Sequence, residues 1–290
     1  MPLTSSVFDL LSAALVEDLA DRGDITTELA LEGRGPPAHA RVLARQVGRL
    51  SGLELAREIF AQVDPTVVCV FHKADGDSVQ PEEVVLEASG PAASLLEAER
   101  TVLNFLGRLS GVATLTGRFV DRVAGTPVRI LDTRKTTPGW RTLEKAAVLH
   151  GGGTNHRIGL FDEVLLKENH FALSRAPGYR ELVAQVRAQA PDGVRITAEA
   201  RDLEEAREVA DGGADAILLD NFYQQALAEA VVALAGHPRR AAFELEASGC
   251  VTLENVAAVA SAGVDRISVG ALTHSAPALD LSMLLEADRS

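Results

Sequence analysis

Apolar positions change their period along the chain. From Val7 to Leu19 they recur at helical spacing (Phe8, Leu11, Leu15, Leu19), which predicts an amphipathic helix. RGDITTE then reads as a capped turn and GRGPP as a break. AHARVLARQ alternates like a half-buried strand, and SGLELAREIFAQV returns to the helical period. TVVCVFHK and EVVLEASG read as strands around the turn ADGDSVQPEE. Within that turn Asp75-Gly76-Asp77 lacks the ligand spacing of an EF-hand loop, so a hairpin is the better reading. Strands and helices without strict alternation predict an α+β, sandwich-like domain over residues 1–115. A long helix, or two joined near Ser110-Gly111, runs from Pro91 to Val123 with Leu95, Val102, Leu103, Leu106, Leu109 and Val112 on its apolar face. Arg100, Asn104 and Arg108 share another face, which spacing alone makes a solvated stripe.

After Gly125 the alternation becomes regular. PVRILD, DEVLLK, VRITAEA, DAILLD, AAFELEA and RISVGA read as strands, and helices are expected at residues 141–149, 179–190, 203–210, 223–234 and 253–262. Short strands separated by helices predict a parallel β/α barrel, complete or partial, over residues 116–275. An open doubly wound sheet is the alternative, but no strand leads into G-x-G-x-x-G. Residues 276–290 are expected to form a helix that packs back on the first domain. The strands end in Asp132, Lys167, Glu199, Asp220, Glu246 and Gly270, and barrel strand ends converge on the face where such enzymes place their sites.

A net charge of −13 without a basic tail or stripe argues against nucleic acid as a partner. No run approaches the ~20 apolar residues of a membrane span, and the acidic first residues do not resemble a leader. The two cysteines, Cys69 and Cys250, lack metal-ligand spacing and read as buried thiols, so a cytoplasmic location is expected.

Against this acidic background, Asp132 to His170 concentrates Arg134, Lys135, Arg141, Lys145, His156, Arg157 and Lys167 around Gly151-Gly152-Gly153. Cations at strand ends beside flexible backbone suit a small polyanion. His156 adjoins Arg157, and no second histidine sits at metal-ligand spacing, so binding a carboxylate is the better reading. Ser248, Gly249, Ser268, Gly270 and Ala271 precede expected helices and leave backbone N–H groups open to a phosphate. Glu199 and Asp220 close successive strands. They can cap helices, pair with Lys or Arg, hold Mg²⁺ against phosphate oxygens, or face ribose hydroxyls and positive charge on the sugar.

DTRKTTPG, GGGTNHRIGL and LLKENH resemble the signature of the quinolinate phosphoribosyltransferases. ERTVLNFLGRLSGVATLT upstream and LLDN, EASG and SVGALTHSAPALDLS downstream continue the resemblance, which covers nearly the whole chain from EDLADRGDITTE. It implies transfer of phosphoribose from phosphoribosyl pyrophosphate to quinolinate with decarboxylation, giving nicotinate mononucleotide, pyrophosphate and carbon dioxide. It implies that Arg134, His156, Arg157 and Thr133, with Arg100 from a neighbouring subunit, hold the two carboxylates. Lys135 and Lys167 would then face phosphate and pyrophosphate oxygens, and Glu199 and Asp220 the developing oxocarbenium charge and Mg²⁺. Those four are the expected catalytic residues; Glu246, Ser248, Gly249, Ser268 and Gly270 complete the expected binding set. No organic cofactor is expected, and a homodimer or higher homo-oligomer is.

Thr197 and Arg201 stand where the family pattern suggests acids, Trp140 where it has a smaller apolar residue, and Cys250 where a small or amide residue is common. Three rival readings remain: a nicotinate-using phosphoribosyltransferase, a paralogue associated with molybdate transport that shares the fold, and a non-catalytic phosphometabolite-binding regulator. Intact NHR and LLKENH segments count against the paralogue, and the presence of Lys135, Lys167 and the strand-end acids against the regulator.

Overall fold

The computed structural model describes residues 4–222 and 224–288. The chain divides into two compact units: the described residues of Met1–Leu115, Thr137–Gly152 and Ala276–Ser290 form the first, Thr116–Thr136 and Gly153–Ser275 the second.

In the first unit α1 (Ser5–Leu19) buries Val7, Leu11 and Leu15, whereas Phe8, expected on that face, is exposed and Leu19 is half-buried. RGDITTE continues into α2 (Ile25–Ala30), where the Asp24 carboxylate accepts from the Thr27 amide at 3.0 Å. Next come β1 (Pro37–Ala44), β2 (Gly48–Arg49), α3 (Leu53–Val63), β3 (Val68–Phe71), β4 (Ser78–Val79) and β5 (Val84–Pro91). β3 and β5 pair antiparallel, so their connection is a hairpin. Inside it Asp75 accepts from the amides of Gly52 and Leu53 at 2.8 and 3.1 Å, which caps α3.

The helix α4 (Ala92–Arg122) runs unbroken through Ser110-Gly111. Gly111 permits a close crossing, since a Cβ there would stand 2.0 Å from the Pro277 carbonyl oxygen. Arg108 is not a solvated residue. Its guanidinium meets the fully buried Glu144 at 2.7 Å and donates to the Ala276 carbonyl at 2.9 Å. Beyond α4 lie β6 (Arg129–Leu131), in the second unit, and α5 (Arg141–His150), in the first. Trp140, just before α5, stacks on Phe105 with ring centroids 4.5 Å apart.

The second unit continues with β7 (Glu163–Leu166), α6 (Glu168–Leu173), α7 (Tyr179–Gln189), β8 (Arg195–Ala200), α8 (Leu203–Gly212) and β9 (Ala216–Asp220). It ends with α9 (Gln224–Ala235), β10 (Glu244–Ser248), α10 (Val256–Ser261), β11 (Arg266–Ser268) and α11 (Ala271–His274). Tyr223, where one helix was expected to begin, lies outside the described residues. The helix expected from residue 253 starts only at Val256.

Six strands form one sheet in the order β6-β11-β10-β9-β8-β7, every pair parallel. No ladder joins β6 to β7 among the described residues, so the barrel is partial. A parallel bridge between Leu131 and Thr154 brings the segment before His156 alongside β6.

Register sorts the side chains by face. Ile196, Ala198, Ile217, Leu219, Leu245 and Ile267 are buried on one face. The other carries Thr197, Glu199, Leu218, Asp220, Glu244, Glu246, Ser248, Arg266 and Ser268, because alternate residues of paired strands share a side.

The helix expected over 276–290 is replaced by a strand, β12 (Leu281–Ala287), which pairs antiparallel with β1 over seven residues. Residues 289–290 of that expectation lie outside the described residues. LSMLLEA is rich in helix formers, but Leu281 and Met283 alternate into the core once the free edge of β1 is available. The resulting sheet runs β12-β1-β5-β3.

Candidate active site

At the carboxyl ends of the parallel strands the second unit encloses a cavity of about 840 Å³. Thr133, Arg134 and Lys135 enter it after β6, His156 and Arg157 from the segment beside β6, and Lys167 from the end of β7. Glu199 comes from β8, Asp220 from β9, Glu246, Ser248 and Gly249 from β10, and Ser268 and Gly270 from β11. Of the residues expected at the site, Arg100 alone does not line the cavity; it is exposed on α4. Arg141 and Lys145 of the cationic stretch also stand apart, on α5.

Arg134 and Arg157 set the positive side. The Nε–H groups of both are buried without an acceptor. Arg157 binds its proton less firmly than an ordinary guanidinium, first through burial and then through the charge of Arg134. It remains a cation. Its Nη1 donates to the Glu163 carbonyl at 3.0 Å. Asp132 is fully buried and accepts from the His156 amide at 2.8 Å, which fixes this corner to the end of β6.

Lys167, the residue before α6, pairs with Glu199. In-register pairing of β7 with β8 and of β8 with β9 places Lys167, Glu199 and Asp220 at neighbouring strand ends. The Asp220 carboxyl lies above its ordinary range, because burial and then the charge of Glu199 oppose ionisation more than Lys167, Asn221 and Lys135 favour it. On the next strand Glu246 is fully buried, and its carboxylate faces Arg266 at 2.7 Å and His156 at 3.6 Å.

Small residues shape the far wall. Gly249 has φ +94°, and a Cβ there would stand 2.1 Å from the Asn221 side-chain oxygen. Gly270 lets Lys135 and His274 approach, since each would be 3.1 Å from a Cβ. The turn after Ser248-Gly249 is followed by α10 only at Val256, so no helix dipole acts at that turn. Cys250, expected to be buried, is exposed at the cavity with φ +49°, and Cys69 is half-buried.

Asn221 and His274 also line the cavity. Sequence reasoning passed over both, although each sits in a motif it had marked. Asn221 directly follows a strand-end acid and takes the left-handed conformation that Asn tolerates, donating to Asp220 at 2.9 Å.

Comparison with known proteins identifies relatives along the whole chain. The model for the quinolinate phosphoribosyl transferase C-terminal domain matches residues 112–284, and that for the N-terminal domain matches residues 24–110. A Bacillus subtilis protein named probable nicotinate-nucleotide pyrophosphorylase (carboxylating) is 39% identical over 274 residues, covering 94% of this chain and 91% of its own. A Nicotiana tabacum protein named quinolinate phosphoribosyltransferase (decarboxylating) 2b, mitochondrial, is 38% identical, covering 98% of this chain and 84% of its own. The crystal structure of NadC from Streptococcus pyogenes superposes with a TM-score of 0.91 at 35% identity, covering 100% of both chains.

Proposed function

This chain belongs to the quinolinate phosphoribosyltransferase family, and from that premise we propose that it makes nicotinate mononucleotide. The substrates are quinolinate and phosphoribosyl pyrophosphate, and pyrophosphate and carbon dioxide leave.

One observation carries the reading: the paired, desolvated guanidinium groups of Arg134 and Arg157, each with a buried donor that meets no acceptor. An unmet buried donor costs about 1–3 kcal/mol. A ligand with two adjacent carboxylates satisfies both donors and relieves the repulsion between the cations. Quinolinate presents two carboxylates and nicotinate one, so the pair favours the dicarboxylate. Thr133 and His156 complete this corner, and Arg100 of a neighbouring copy closes it in a homodimer; Arg100 is exposed and available for that role.

Lys135 and Lys167 face the phosphate groups, with Ser248, Gly249, Ser268 and Gly270 giving the anion close access to backbone. As the bond from the anomeric carbon to pyrophosphate breaks, its electron pair leaves with pyrophosphate, and the lysines offset that charge. Positive charge grows on the sugar beside Glu199 and Asp220, which stabilise it without bonding to it. The pyridine nitrogen then forms the new bond to the anomeric carbon. Its positive charge accepts the electron density released when the neighbouring carboxylate leaves as carbon dioxide, and the ring carbon takes up a proton. Positioning and electrostatics supply most of the rate.

Glu199 and Asp220 also fit Mg²⁺, which is commonly held by one or two carboxylates with waters and substrate phosphates completing its shell. The lifted proton affinity of Asp220 beside Glu199 is the property of a carboxylate pair that a cation would relieve. Bound there, Mg²⁺ would neutralise pyrophosphate oxygens. Two unpaired cysteines accord with a cytoplasmic location, and no described helix is long and apolar enough to cross a membrane.

The test is direct. Purified protein receives phosphoribosyl pyrophosphate and Mg²⁺ with either quinolinate or nicotinate, and nicotinate mononucleotide and carbon dioxide are quantified. Product with quinolinate alone is expected. Product chiefly from nicotinate would overturn the dicarboxylate reading, and no product from either would point to a binding protein.

A further inference from the structure

Beneath the cavity, the inner face of the parallel sheet carries charge where barrels of this class usually carry branched apolar side chains. Arg266 on β11 is almost fully buried. Its Nε stands 2.7 Å from Glu246 Oε2, its Nη1 stands 3.4 Å from Glu244, and its Nη2 donates to the buried Thr197 hydroxyl at 3.2 Å. The Thr197 hydroxyl in turn donates to Glu163. Arg266 therefore reaches across the sheet interior from one strand to acids and a hydroxyl on two others.

Glu246 is the unusual member. It is fully buried, and neither carboxylate oxygen has a hydrogen-bond partner of good geometry. Burial opposes its ionisation, yet His156 and Arg266 outweigh that cost and hold the carboxyl below its ordinary range. An unpaired buried carboxylate would not persist as an anion, so Arg266 makes this one possible. Glu246 was expected to bind substrate directly. Its surroundings suit it better to a role one layer below.

That role runs through His156. The Arg157 amide donates to His156 Nδ1 at 2.7 Å, so Nδ1 acts as an acceptor and the ring N–H is on Nε2, with the Glu163 carboxylate farther off, 3.9 Å from Nδ1. Nε2 faces Glu246 Oε1 at 3.6 Å. The imidazole thus stands between a buried anion and the backbone of the residue whose guanidinium enters the cavity. Loss of the anion removes the carboxylate that Nε2 faces, so the ring, and with it the acceptor of the Arg157 amide, is held less firmly.

We infer that Glu246 and Arg266 are positioning residues of the proposed quinolinate site: the buried ion pair locks His156 as its Nε2–H tautomer, and the locked ring holds Arg157 in register for a substrate carboxylate. The inference rests on the functional reading above for its substrate and on the structure alone for the lock.

The test has two readouts. In substrate-free protein labelled with nitrogen-15 histidine, the His156 signals, assigned with His156→Gln, report which ring nitrogen carries the proton. Wild type should show only the Nε2–H form. Glu246→Gln, and the charge-neutral pair Glu246→Gln with Arg266→Met if the single variant folds poorly, should lose that single form. In steady-state kinetics the same variants should raise KM for quinolinate about tenfold, the usual scale for removing a group that orients a ligand-binding residue. KM for phosphoribosyl pyrophosphate should stay within about twofold, and Arg266→Lys, which keeps a cation but not the fork that meets Glu246, Glu244 and Thr197 together, should fall between wild type and Glu246→Gln in both readouts. An unchanged His156 spectrum in folded Glu246→Gln, or equal rises in both KM values, would overturn the positioning role. A wild type that ignores quinolinate would instead overturn the functional reading, and the spectrum would still decide whether the lock exists.

Discussion

Replacing Lys167 by Met should cost the proposed reaction far more than it costs the fold. The Lys167 side chain is 49% exposed and its partner Glu199 is 14% exposed. Exposed ion pairs contribute about 0–1 kcal/mol to stability, so a thermal melt should move little. The ammonium matters more to a phosphoryl oxygen. Two unit charges 4 Å apart interact by about 4 kcal/mol near a protein surface and about 1 kcal/mol in water. A half-exposed ammonium falls between, at about 2–3 kcal/mol, which corresponds to a loss of about 30- to 150-fold in kcat/KM for phosphoribosyl pyrophosphate. A second effect has the same sign: without its ion-pair partner Lys167, the Glu199 carboxylate meets an incoming anion uncompensated. The assay is steady-state kinetics with phosphoribosyl pyrophosphate varied at saturating quinolinate, alongside a melt of the same preparation. A folded variant whose kcat/KM stays within about threefold of wild type would refute the placement of Lys167 against the phosphates.

Two further outcomes follow from particular contacts. Asp220→Asn should abolish most turnover yet stabilise the free protein at neutral pH. Because the folded state holds the Asp220 proton more tightly than the unfolded chain does, its contribution to stability is present below the ordinary carboxyl pKa of about 3.9 and is lost as pH rises through the folded value. The stability advantage of the Asn variant should therefore be larger in melts at pH 7 than at pH 4, and the opposite order would contradict the raised affinity. Gly111→Ala would bring a Cβ to 2.0 Å from the Pro277 carbonyl oxygen, and overpacking of this kind costs about 1–3 kcal/mol. A denaturant midpoint equal to that of wild type would show that the crossing is looser than the structure has it.

Much of the site was legible because strand ends are local features. A short apolar run ending in Lys167, Glu199 or Asp220 announces both the strand and the side chain that leaves it, and parallel alternation sends all such ends to one face. The cavity accordingly gathers residues from the end of each strand of the sheet or from just beyond it. Arg108 was misread because helical spacing says which residues share a face and nothing about what that face meets; here it meets buried Glu144. The last strand was misread because its residues favour a helix in isolation, and only pairing with β1 reverses that preference.

The sequence by itself therefore determined the six parallel strands of the second unit, the concentration of cations in one acidic chain, and the acids and glycines that end those strands. Only the tertiary structure decided which side of the sheet each alternating residue faces. The charges at Glu163, Glu244, Glu246 and Arg266 and the Thr197 hydroxyl converge through register between strands distant in sequence. Local periodicity specifies that two residues lie on the same side, whereas burial of one such side with a compensating ion pair depends on contacts that exist only once the strands have paired.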